Sequence, residues 1–284
     1  MEFPLTLSRQ SLRHWLLRTK GRTALGLRVA SALNRLGVRL LIGAREIVSL
    51  INEHVTDAKS DSRIRNLGTL HEQIRRILER QKKEYPHYSY FYGHPYQSFA
   101  TLGIFGERPT EERFDVYRLR ELLGPEDSVL DIGCNCGFMA IYASYRTGCR
   151  ATGIDINPFM IEIGQRSAEY LEIADRVKLV AGRFQEYQPA ERFSVVFSFA
   201  THWTDDGNYR VELTEHLKRI HALLKPGGLL VFESHCADVG QAAFYEALES
   251  MRGWFDWSER ILSDNAQREV YLMRVRTVGA ARAA

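Results

Sequence analysis

The stretch from Ser128 to Phe138, Ser-Val-Leu-Asp-Ile-Gly-Cys-Asn-Cys-Gly-Phe, constrains this chain more than any other. Val129, Leu130 and Ile132 supply a short buried strand that runs into a glycine-bearing turn and then a helix. That sequence of elements predicts a cofactor cradle. Gly133 and Gly137 are expected to bring the turning backbone within contact distance of a ligand that a Cβ would push away. Asn135 stands between them, and Asn is among the few non-glycine residues that tolerate a left-handed backbone. Eighteen residues past Gly137, a second apolar run, Ala151 to Ile154, ends in Asp155. On an adjacent parallel strand that carboxylate is placed to accept the ribose hydroxyls of a nucleoside.

The spacing separates two nucleoside cofactors. A dinucleotide fold wants G-x-G-x-x-G, whereas here the sixth position is Phe138 and the glycine falls one residue earlier. The pattern D-x-G-x-N-x-G, from Asp131 to Gly137, resembles the first motif of the class I S-adenosylmethionine-dependent methyltransferases. Downstream segments extend the resemblance: Asn157-Pro158 opens a helix, Gly182-Arg183-Phe184 follows a third strand, Phe193 to Ser198 makes a fourth, and Leu223 to Gly228 introduces a fifth. It implies an α/β Rossmann-like fold, a mostly parallel seven-stranded sheet with an antiparallel terminal strand, and S-adenosyl-L-methionine as cofactor. On this resemblance Asp131, Gly133, Asn135 and Gly137 lie near the donor's amino-acid part, Asp155 at its ribose and Ile156 beside adenine. Arg183 and Phe184 resemble the family's adenine contacts, and Ser198, at the end of the fourth strand, is placed with the cofactor contacts.

At 284 residues, with 45% apolar and 11% aromatic residues, the chain can bury a full core and carry an extension. The expected division is a basic amphipathic extension over 1–84, an aromatic lid and lead-in helix over 85–120, and the cofactor-binding domain over 121–284. The net charge of +3 hides an asymmetry, because residues 1–45 hold nine Arg or Lys against Glu2. Val29, Leu33, Leu36, Leu40, Ala44, Ile47, Ile51 and Val55 recur at spacings of three and four, the stripe of a long amphipathic helix. Packing on its own domain or in a homodimer, docking on an anionic membrane or a partner protein through residues 1–60, and contact with RNA all fit such a helix. Arginines 28, 35, 39 and 45 interrupt its apolar run, and no secretory pattern follows the basic start. The expected location is therefore cytoplasmic, with a peripheral place at the inner face of the membrane as the alternative. Cys134, Cys136, Cys149 and Cys236 show no disulfide framework and no metal-binding spacing, so no metal site is predicted.

Between Tyr85 and Phe99 lies the densest aromatic cluster of the chain. It can either close over a sulfonium by cation–π attraction or join the helical extension to the sheet. Tyr96-Gln97, followed by Arg113, resembles the methyltransferase module of bacterial O-antigen chain-terminating enzymes. That resemblance implies that Tyr96 and Gln97 cover the donor and Arg113 pairs with its carboxylate.

From Glu121 onward strand and helix alternate, which predicts a parallel sheet flanked by helices over Phe138–Arg146, Pro158–Ile173, Tyr209–Leu224 and Gly240–Met251. Trp254–Leu262 and Glu269–Arg276 read as a closing antiparallel pair. His202 follows the fourth strand and His235 the fifth, so both emerge beside the expected methyl group, and either could remove a hydroxyl proton as general base. Trp203, Tyr92 and Glu233 are candidate acceptor contacts, with Glu233 on the same strand face as His235. The resulting expectation is O-methylation of a glycan or small metabolite. A tRNA or rRNA methyltransferase and an inactive scaffold of the same fold stay open as alternatives.

Overall fold

The computed structural model describes residues 60–84, 96–104, 106, 108–203, 211–257, 260–262 and 267–277, with side chains from residue 67 in the first of these and without that of Trp203. The predicted helix with its stripe from Val29 to Val55, and Tyr92 with its aromatic neighbours up to Pro95, lie outside them. The chain divides into two compact units, Met1–Arg113 and Phe114–Ala284.

In the first unit, helix α1 (Ser60–Glu84) buries Leu70, Ile74 and Ile77, a stripe at spacings of four and three. Its outer face carries Glu72 paired with Arg75 at 2.7 Å and with Arg76 at 3.0 Å, contacts three and four residues apart of the kind that favour a helix. Strands β1 (Gln97–Ser98) and β2 (Arg108–Pro109) pair in parallel. The 3-10 turn Ala100–Leu102 between them is fixed from two sides: Leu102 O is 2.7 Å from His71 Nε2, and Thr101 N–H donates to Glu111 Oε1 at 2.9 Å. The boundary falls inside helix α2 (Thr110–Val116).

The second unit is built on one eight-stranded sheet. Its parallel part contains β3 (Ser128–Ile132), β4 (Arg150–Asp155), β5 (Val177–Ala181), β6 (Phe193–Phe199) and β7 (Leu224–Glu233), in the order β5-β4-β3-β6-β7. The chain runs outward from β3 through β4 to β5, then crosses to β6 on the other side. The C-terminal ends of β3 and β6, where the order reverses, therefore border the crevice in which α/β sheets bind ligands. Helices α4 (Phe138–Thr147) and α5 (Pro158–Tyr170) make the first crossovers; a 3-10 turn, Phe184–Glu186, is the regular element in the third. Helix α3 (Leu119–Leu122) leads into β3, α6 (Leu213–Leu223) precedes β7 and α7 (Ala242–Ser250) follows it.

The closing hairpin differs from the expected pair. Strand β10 (Glu269–Val275) runs antiparallel to β7, and its other edge takes two short strands, β8 (Phe255–Asp256) and β9 (Arg260–Leu262), in place of one continuous Trp254–Leu262 strand. Seven strand positions are thus filled by eight strands. The lead-in residues after Arg113 pack within this unit: Phe114 meets Tyr142 edge to face at 5.0 Å, and Tyr117 Oη donates to Glu233 at 2.7 Å.

Candidate active site

Local rules shape the turn after β3. Gly133, Asn135 and Gly137 adopt φ of 61°, 54° and 69°, the left-handed region that glycine enters freely and Asn better than most. The glycines also serve the protein's own packing. A Cβ on Gly133 would stand 2.6 Å from Thr201 Cγ2, and one on Gly137 would stand 2.7 Å from Leu179 Cδ2. Both glycines therefore admit the protein's own side chains. Helix α5 leans on the same turn, because a Cβ on Gly164 would lie 2.2 Å from the Cys136 carbonyl oxygen.

Asp155 ties the turn to the end of β4. Its Oδ2 accepts from the Asn135 N–H at 2.8 Å and its Oδ1 from the Asn157 N–H at 2.9 Å, so the carboxylate plane is set by backbone. Asn157 then caps α5, accepting from the N–H groups of Phe159 and Met160, with Pro158 at the first helical position. Asn135 Oδ1 is buried without a hydrogen-bond partner. The thiols of Cys134 and Cys136 are buried in this turn, and desolvation raises their pKa well above that of a free cysteine. They are packing groups, not nucleophiles.

The ends of β3, β4, β5 and β6 open into a cleft of about 670 Å³, solvent at its mouth included. Among the predicted site residues, Gly133, Asp155, Ile156, Arg183, Phe184 and His202 line it together. Asp131 is buried within β3, while Gly137 starts α4. Tyr96, Gln97 and Arg113 fall in the first unit: Gln97 is in β1, opposite Arg108, the Tyr96 carbonyl accepts from the Arg108 N–H, and Arg113 is in α2. Trp203 ends the 3-10 turn Thr201–Trp203.

His216, on α6, lines the cleft and carries no motif. Its Nε2 lies 3.0 Å from Ser198 Oγ, which in turn is 2.8 Å from Thr201 Oγ1. Ser198 is thereby spent inside the wall. Phe184 meets the His216 ring edge-on at 5.5 Å, and Arg219 lies over the Phe184 ring while donating to the carbonyls of Phe184 and Tyr187. A helical histidine among ordinary polar residues gives no sequence signal; only the three-dimensional neighbourhood of Ser198 reveals it.

The two candidate bases part company. His202 is buried in the cleft wall, with Nε2 2.9 Å from Asp238 Oδ2 and Nδ1 buried without a partner. His235 sits on the turn after β7, where its Nδ1 accepts from the Ala237 N–H at 3.1 Å and lies 3.6 Å from Cys236 Sγ. Burial lowers the His235 pKa, aided by Arg268. Glu233 also departs from the expected acceptor contact. It is wholly buried, accepting from Tyr117 Oη and, through Oε1, from Arg268 at 2.7 Å, so it braces the fold instead of lining an acceptor pocket. Among the described residues, no group of three or more His, Cys, Asp and Glu side chains is arranged to hold a metal, and no helix is long and apolar enough to cross a membrane.

Residues 129–228 match the family model of a methyltransferase domain. Geranyl diphosphate 2-C-methyltransferase of Streptomyces lasalocidi is 26% identical over 162 residues, 52% of this chain and 52% of that protein. Sterol 24-C-methyltransferase of Eremothecium gossypii is 33% identical over 110 residues, 36% of this chain and 26% of its own length. The chain spans about half or less of these curated relatives. Among solved structures, an S-adenosylmethionine-dependent methyltransferase from Thiobacillus denitrificans, crystallised with S-adenosyl-L-homocysteine, superposes with a TM-score of 0.48 at 18% identity, over 59% of this chain and 92% of that one.

Proposed function

We propose that this chain, whose residues 129–228 are a methyltransferase domain of the class I S-adenosylmethionine-dependent superfamily, moves a methyl group from that donor to a hydroxyl oxygen, with His202 as the base. The residues fit the donor. Asp155 is held rigid by two backbone N–H groups at the cleft wall, Phe184 lines the same cleft, and a Cβ on Gly182 would meet open space. The buried amide oxygen of Asn135, without a partner, suits a ligand donor at the turn. Asp155 would hold the ribose, and Ile156, Arg183 and Phe184 the adenine. When bound, S-adenosyl-L-methionine supplies an electrophilic methyl carbon on a sulfonium.

The observation that carries the oxygen assignment is the state of His202. Its Nε2 is committed to Asp238, while Nδ1 is buried and lacks a partner, a costly arrangement unless something fills it. An acceptor hydroxyl would donate to that nitrogen and lose its proton to it as the oxygen attacks. Such general-base assistance contributes about 10²–10⁴ in rate. The preferred acceptors are a glycan or a small hydroxylated metabolite. The geranyl diphosphate and sterol enzymes among the relatives are named for transfer to carbon, which makes the methylated atom the discriminating result.

The test incubates the full chain with methyl-labelled donor and fractionated hydroxyl compounds, then locates the label by mass spectrometry. An O-methyl product, with turnover about 10²–10⁴ lower in His202→Ala at unchanged donor affinity, is expected. Label on carbon, or full turnover in His202→Ala, contradicts the proposal.

A further inference from the structure

The loop after β7 contributes more than a connection. Asp238 lies buried in it, with a side-chain exposure of 7% against 5% for its partner His202. Its Oδ2 is 2.9 Å from His202 Nε2 and also accepts from the His235 backbone N–H at 2.6 Å. The backbone closes around it: Asp238 N–H donates to the His235 carbonyl, and Gln241 N–H donates to the Asp238 carbonyl. On its other side the His202 ring meets Phe232 at 5.1 Å, and Phe232 stacks on Phe244 at 6.4 Å. Both members of the pair are thus held by packing and by backbone.

We propose that Asp238 is the positioning residue that fixes the tautomer and orientation of His202. An ionised carboxylate has no proton to give, so a hydrogen bond between Asp238 Oδ2 and His202 Nε2 requires the proton on Nε2. In the neutral ring the lone pair then sits on Nδ1, the nitrogen without a partner. When Nδ1 takes a hydroxyl proton, the ring becomes a cation whose Nε2–H faces a carboxylate 2.9 Å away, so the charged form is stabilised where it arises. This inference rests on the reading of His202 as base. The same carboxylate oxygen binds the His235 N–H, so the turn and the dyad are set together, and the role of His235 is through its backbone.

Imidazole ¹⁵N spectroscopy of the full chain reads the tautomer directly, without an acceptor. In the native protein His202 is expected as the Nε2–H form. Asp238→Ala should populate the Nδ1–H form and lower turnover by about 10²–10⁴, with donor affinity within about twofold. Asp238→Asn, whose carbonyl oxygen can accept from both N–H groups, should fold as the native chain does, keep the Nε2–H form and retain an intermediate rate. A native Nδ1–H tautomer, or an unchanged tautomer and rate in Asp238→Ala, overturns the inference. If His202→Ala is inactive while Asp238→Ala matches the native chain in both readouts, Asp238 alone is misassigned; if His202→Ala is fully active, the base reading itself has failed.

Discussion

His216 is buried beside Phe184, and its pKa is pushed down to about 3 by desolvation, with repulsion from His202, when protonated, and from Arg219 adding to the fall. An ordinary histidine of the unfolded chain titrates near 6.5, so between about 6.5 and 3 the unfolded state takes up a proton that the folded state refuses. Stability from this group is therefore complete above about pH 6.5 and drains as the pH falls, by up to about 1.4 kcal/mol per unit. His216→Gln keeps a side-chain nitrogen for Ser198 and cannot titrate. Urea unfolding from pH 7 to 4 should show the native chain losing stability faster than the variant by roughly that slope. Parallel curves would show that His216 is not buried neutral. At this scale the sequence was readable where a motif forces a conformation, as at Gly133, Asn135, Gly137 and Asp155. It was silent where only neighbours decide. That Thr201 and Leu179 crowd Gly133 and Gly137, and that Asp238 bonds the His202 ring, follow from no motif.

Helix α5 shows which element boundaries could be read. Its start was legible because Asn157-Pro158 caps by ordinary chemistry. The expected end, Ile173, lies three residues beyond the observed one, Tyr170. Glu172, one residue past the cap Leu171, takes φ of 58°, with Ile173 N–H returning to the Ala168 carbonyl and Glu172 N–H to that of Glu169. That is the six-to-one and five-to-two pattern normally marked by glycine, and here no glycine announces it. Helix α4, which is capped by Gly148 with φ of 80°, ends within one residue of the expected Arg146. The closing hairpin was legible as antiparallel, but alternation alone could not show that one strand is broken in two. Two glycine substitutions test the element contacts with opposite signs. Gly68→Ala on α1, where a Cβ would meet nothing within 4 Å, should stabilise by roughly 0.5–1 kcal/mol through helix propensity. Gly164→Ala gains the same propensity yet drives a methyl group into the Cys136 carbonyl, 2.2 Å away. It should destabilise by roughly 1–3 kcal/mol in urea unfolding and weaken donor binding, because the turn must shift. A stabilised Gly164→Ala would refute the close approach of helix and turn.

Across the second unit, Glu233 joins three distant parts of the chain. It ends β7, accepts from Tyr117 of the lead-in segment and pairs with Arg268 just before β10. A buried pair need not add net stability, but removing one member strands the other charge at a cost of about 3–5 kcal/mol. Arg268→Met should destabilise by that order in urea, and adding Glu233→Gln should recover part of the loss; an Arg268→Met change below about 1 kcal/mol would mean the pair is solvated. The whole account rests on the cleft being shaped for an adenosine that bears a thioether. Isothermal titration of S-adenosyl-L-homocysteine measures this most directly. One saturable site is predicted for the full chain, unchanged in His202→Ala and weakened tenfold or more, about 1.4 kcal/mol, in Asp155→Asn. No saturable heat in the native chain, or equal affinity in Asp155→Asn, would contradict it.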